Sequence, residues 1–196
     1  ALITGVTGQD GSYLAEFQAD QLFFGCSMPK PAVGAVLLEK RRGKLTRDEF
    51  QHIVYACDQS INNSWFYLLS RITPADETFF RWKYSLPETR IIDNWQSPRF
   101  YAEFYERCVN YRLDHGCELL LEAMRRDQYG LGRWVMPANI TYIGGKTGNY
   151  GEWDHESLFF YHRGTPYAIV LYTRGNFAPG NQLGVMMGGL FYDYCA

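Results

Sequence analysis

The sequence predicts an α+β sandwich, in which an antiparallel sheet built from both ends of the chain packs against helices from the middle. Three observations predict it. Short β-type runs with glycine turns occupy roughly residues 1–25 and 138–196, while helical periodicity and capping signals fill roughly 26–137. With 196 residues, 46% apolar and 20% charged, the chain reads as one globular domain over 1–196, large enough to bury a core without disulfides. No internal repeat, low-complexity tract or Pro/Gly/Ser linker marks a boundary.

Along the chain, Ala1–Thr4, a turn at Gly8–Gly11 and the alternation of Tyr13, Ala15 and Phe17 read as a two-stranded hairpin. Met28–Arg42 reads as a helix: Pro31 suits an early position, Val33, Val36 and Leu37 recur at helical spacing, and Lys40–Arg42 before Gly43 suits a C-terminus. Thr46-Arg-Asp-Glu49 is a capping box opening a second helix to about Tyr55. Asn63–Arg71 forms a third, and Ser97–Arg126 holds one or two more. Ile140–Ile143, Ser157–His162 and Ala168–Thr173 are β-rich, and Leu183–Tyr194 reads as a closing helix. Trp153–Glu156 is a polar cluster that reads as a solvated turn, a place at the border of the cleft being the alternative.

Net charge is −2, which gives no electrostatic case for nucleic acid or an anionic membrane. The longest apolar stretches, Ala32–Leu38 and Gly184–Phe191, fall far short of the roughly 20 residues a membrane span needs. The chain opens with no signal-peptide pattern. Of five cysteines, none in a C-x-x-C pair, most read as buried apolar residues, leaving the redox compartment open. His52, His115, His155 and His162 lack metal-ligand spacing and read as surface or hairpin residues, so neither metal nor cofactor is expected. The 15 Tyr, 13 Phe and 5 Trp fit either an aromatic core or an aromatic-walled cleft.

Two motif sets compete. Gly5-Val-Thr-Gly8-Gln-Asp-Gly11 follows a short strand, the context in which glycines let backbone amides approach a pyrophosphate. Ala1–Phe17 resembles the opening of GDP-mannose dehydratases of the extended short-chain dehydrogenase family. The resemblance stops there. No acidic residue near position 31 can hold a ribose, no Tyr-x-x-x-Lys pair follows, and the βαβ alternation does not continue.

The second set runs the length of the chain. Ser27-Met-Pro-Lys30 puts a serine and a lysine on one helical face. Ser60-Ile-Asn62 leads into the third helix, and Lys146-Thr-Gly148 follows Ile140–Ile143 on an expected edge strand beside a cleft. Each triplet alone is common; the three in this order and these contexts are not. Here the sequence resembles the penicillin-recognising serine hydrolases, most closely the class A β-lactamase type. Ser27–Phe50 is similar to that family's nucleophile helix, Gln59–Leu69 to its Ser-Asp-Asn region, and Tyr129–Thr173 to its Lys-Thr-Gly strand and final hairpin.

The resemblance implies that Ser27 is the nucleophile, with Lys30 as its base and Lys146 supplying positive charge. Ser60 would relay a proton to the leaving nitrogen. Asn62, Thr147, Gly148 and Asn149 would bind substrate, the amides of Ser27 and Asn149 forming an oxyanion hole. It also implies a small-molecule or peptide substrate and an exported protein, although the residues leave a cytoplasmic location and the oligomeric state open. Two departures stand out. Ile61 replaces the family's Asp, and no Glu-x-x-Leu-Asn lies between Arg71 and Arg99 to activate a deacylating water, Glu88 being the nearest stand-in. Tyr150 stands where a disulfide partner for Cys26 would be, so that bond is not expected. A weak or inactive binding module on the same fold is therefore the rival reading.

Overall fold

A computed structural model describes residues 3–7, 19–130, 132–134, 136–175 and 188. Four strands form the main sheet: β1 (Ile3–Thr7), β4 (Ile140–Tyr150), β5 (Trp153–His162) and β6 (Thr165–Arg174), in the order β1-β6-β5-β4 with every neighbour antiparallel. The N-terminal strand thus closes one edge against β6, and β4 forms the other edge. A small two-stranded sheet pairs β2 (Phe23–Phe24) with β3 (Trp95–Gln96). The expected strand at Tyr13–Phe17, the glycine turn before it and, Gly188 apart, the closing helix at Leu183–Tyr194 lie outside the described residues.

The helices are α1 (Lys30–Lys40), α2 (Arg47–Asp58), α3 (Asn62–Leu69), α4 (Pro74–Lys83), α5 (Pro98–Val109) and α6 (Cys117–Arg125), and a 3₁₀ turn covers Gly132–Trp134. Helix α1 is buried from Lys30 to Leu38, so it needs no polar stripe and forms the centre of the helical layer. The capping box at α2 is present as the sequence predicts: Thr46 Oγ1 accepts from the Glu49 amide and Glu49 Oε2 accepts from Thr46 N–H at 2.9 Å. A second one, Thr73 with Asp76, opens α4, an element absent from the sequence reading. The segment Ser97–Arg126 resolves into two helices because Gly116 takes φ +83° between them; a Cβ there would stand 2.4 Å from Leu38 Cδ1.

Much of the aromatic content goes to the core. Phe100, Tyr101, Phe104 and Tyr105 of α5 are fully buried and pack with Phe80, Phe159 and Tyr172. Cys26, Cys57, Cys108 and Cys117 are buried free thiols.

The stretch Trp153–Glu156 is not a solvated turn. It begins β5, the reversal falling instead at Gly151-Glu152, and His155 and Glu156 are buried, as is His162. Strand pairing overrode local polarity here, and both ring nitrogens of His155 found partners inside. His155 Nε2 donates to the Phe24 carbonyl at 2.8 Å while Nδ1 accepts from Thr173 N–H at 3.1 Å, tying β2 to the main sheet. Burial pushes this imidazole down to about 4, so the neutral ring is the folded form. An unfolded chain binds the proton at a higher pH than the native protein does, near 6.5. Stability is therefore expected to fall as pH drops from about 6.5 to about 4, by at most ~3 kcal/mol. Thermal unfolding at the two ends of that window should show the loss, and His155→Gln should shrink it.

Candidate active site

Ser27 sits in the tight turn that leads into α1, where Met28 N–H donates to the Gly25 carbonyl at 2.9 Å. The helix begins at Lys30, slightly later than the sequence predicts. Cys26, immediately before Ser27, holds φ +54°, a left-handed conformation uncommon for a non-glycine residue and typical of sites held by their surroundings. The hold comes from Asn94, whose Nδ2 donates to the Cys26 carbonyl at 3.0 Å and whose carbonyl accepts from Gly25 N–H at 2.8 Å. The stretch between Arg71 and Arg99, which lacks the family's general base, thus braces the nucleophile turn through Asn94. Glu88 is exposed and does not line the cavity described below.

Lys30 is fully buried, and its Nζ donates to Ser27 Oγ at 3.0 Å, Ser60 Oγ at 3.1 Å and Asn62 Oδ1 at 2.8 Å, with the Ser60 carbonyl also in contact. Ser60 lies between α2 and α3 with φ +56°. A capping role would be the simplest use for Ser60 or Asn62, yet the N-cap of α3 is Ile61 and it has no side-chain cap. Both polar side chains turn to the lysine instead. Burial, and then the charge of Lys146, lower the Lys30 ammonium to about 7.

Lys146 projects inward from edge strand β4 and is also fully buried; its Nζ donates to the Thr147 carbonyl at 3.0 Å and faces Asp127 Oδ1 at 3.8 Å. Gly148 brings the strand onto the nucleophile turn, since a Cβ there would meet Ser27 N at 2.8 Å. Above the two lysines lies a cavity of about 450 Å³, lined by Ser27, Ser60, Asn62, Thr147, Gly148 and Asn149. All eight residues singled out in the sequence therefore converge: six line the cavity, and Lys30 and Lys146 lie buried behind them, Lys30 on Ser27, Ser60 and Asn62 and Lys146 on the Thr147 carbonyl. The lining also includes Gln59 and Tyr129, for which the sequence predicts no site role, and Asp154, His155 and Glu156 of the polar cluster whose alternative placement is the border of the cleft. A larger hollow of about 630 Å³ by Phe50, Tyr111 and Leu119, near the C-terminal end of α1, includes neither Ser27 nor Lys30.

This architecture is the class A β-lactamase fold. A β-lactamase from Chitinophaga pinensis superposes with a TM-score of 0.83 at 16% identity, over 100% of this chain and 94% of its own. An ancestral class A β-lactamase, GNCA, superposes at 0.82 and 19% identity, over 98% of this chain and 94% of its own. The sequence matches no family model and no curated protein. The dehydratase resemblance finds no support in the fold: β1 pairs antiparallel with β6 where a dinucleotide-binding unit needs a parallel neighbour.

Proposed function

We propose that the protein is a serine hydrolase that forms an acyl-enzyme through Ser27 on amide or ester substrates, β-lactams among them, and releases the acyl group slowly. The observation that carries this reading is the 3.0 Å contact between Ser27 Oγ and Lys30 Nζ, a buried amine that loses its proton near neutrality. A neutral Lys30 takes the Ser27 hydroxyl proton as Oγ bonds to the substrate carbonyl carbon. The amides of Ser27 and Asn149 stabilise the oxyanion. As the C–N bond breaks, Ser60 passes the proton from Lys30 to the leaving nitrogen. Asn62 orients Lys30 and can hold the substrate amide, while Thr147 offers its hydroxyl to a substrate carboxylate and Lys146 attracts the same group. The same reading puts the protein's work outside the cytoplasm.

Slow release follows from the missing Glu-x-x-Leu-Asn stretch. Incubation with a fluorescent penicillin is expected to give a covalent adduct by intact mass, persistent over minutes and absent in Ser27→Ala. Rapid turnover without an adduct would reveal a deacylating base elsewhere. Ile61 and the missing glutamate favour a second reading, a peptide-binding module on the same fold. Binding of a cell-wall peptide with neither adduct nor turnover would establish it.

A further inference from the structure

This inference rests on the hydrolase reading of the same site. We infer that Asp127 is a positioning residue, which holds Lys146 and the Thr147 backbone beneath the cavity and so sets the electrostatic surroundings of Lys30. Asp127 follows α6, and its side chain is fully buried. Its Oδ1 accepts from Tyr129 N–H at 3.4 Å and stands 3.8 Å from Lys146 Nζ, and the carboxylate also takes the Thr147 N–H. One carboxylate thereby contacts two members of the Lys-Thr-Gly strand. Asp127 Oδ2 and the Tyr142 hydroxyl have no hydrogen-bond partner among the described residues. Both oxygens and Glu156 Oε1 lie 3.6–3.8 Å from the point a Gly130 Cβ would occupy. Such a carboxylate is costly to bury, and simple packing does not account for it.

The charged and titratable groups around the pair are few. Lys30 is faced by Lys146 from β4, Cys57 from α2 and Asp127 itself, with the Trp65 ring of α3 at 6.0 Å. Asp127 is faced by Lys146 and Tyr142 from β4, Arg133 from the 3₁₀ turn, Glu156 from β5, Cys57 from α2 and Tyr105 from α5. Removing the Asp127 charge leaves the Lys146 ammonium unopposed at Lys30. A second cation then becomes harder to hold, and Lys30 should shed its proton at lower pH.

The test follows the Lys30 ¹³Cε resonance with pH in protein carrying labelled lysine, assigned by its loss in Lys30→Met. Asp127→Asn is expected to lower the midpoint by about half a pH unit or more. An unchanged or raised midpoint overturns the inference. Should Asp127→Asn alone not fold, Lys146→Gln is compared with Lys146→Gln/Asp127→Asn, in which both buried charges are gone; the direct attraction of Asp127 for the Lys30 ammonium is then the part removed, and a smaller downward step is expected between those two proteins. The two ideas fail separately: an unlabelled Ser27 sinks the hydrolase reading, whereas an unmoved midpoint sinks this one.

Discussion

Lys30→Met is expected to slow acylation of Ser27 by about 10²–10⁴-fold, the usual contribution of a positioned general base. Methionine keeps the length of the side chain and its packing inside α1, but it cannot take a proton. In the unaltered protein the acylation rate should rise with pH through about 7, as Lys30 loses its proton, and level off above it. The residual rate of Lys30→Met should show no such limb. Stopped-flow labelling between pH 5.5 and 9 reads both effects, and a persisting limb near 7 would assign the base elsewhere. Stability separates lost chemistry from lost fold. The folded pKa of Lys30 lies below the unfolded value of 10.5, so between about 7 and 10.5 the unfolded chain binds more protons and stability rises with pH. The methionine variant should lose that slope while remaining folded.

The triplets were legible because each pairs a chemical group with a local signal. Ser27 and Lys30 stand three apart at a helix start, and Lys146–Gly148 extends a β-rich run. The first capping box was equally plain from Thr46 and Glu49. Other features depend on partners distant in sequence. Trp153–Glu156 looks polar enough for a turn until β4 and β6 supply neighbours on both sides, with His155 opposite Gly148 and Tyr172. The two-residue strands β2 and β3 are too short for any periodicity and exist through each other. Asp127 carried no local signal at all; only the packing of α6 onto β4 brings it to Lys146. Helix α4 is a different case, since Thr73, Pro74 and Asp76 announce its start in the sequence.

Gly148→Ala is expected to reduce acylation by about 10²–10³-fold, comparable with losing one oxyanion donor. The added methyl would stand 2.8 Å from Ser27 N, 3.0 Å from Gly25 O and 3.0 Å from Met28 N. All three are backbone atoms, so no side chain can swing aside, and either β4 or the nucleophile turn must move by several tenths of an ångström. That turn is already held by Asn94 and by the left-handed Cys26, which leaves it little room to yield. The displacement separates the Ser27 and Asn149 amides, whose joint aim at one oxygen is the purpose of the contact in this reading. The remaining pairs of β4 with β5 should preserve the sheet. Gly151→Ala supplies the control: its φ of +58° strains an alanine, but nothing lies within 4 Å of the new methyl. It is expected to cost about 1 kcal/mol of stability with acylation unchanged. Labelling rates and thermal unfolding of the two variants decide the matter, because equal losses of activity would trace both effects to general strain in the hairpin instead of to the approach of Gly148 to Ser27.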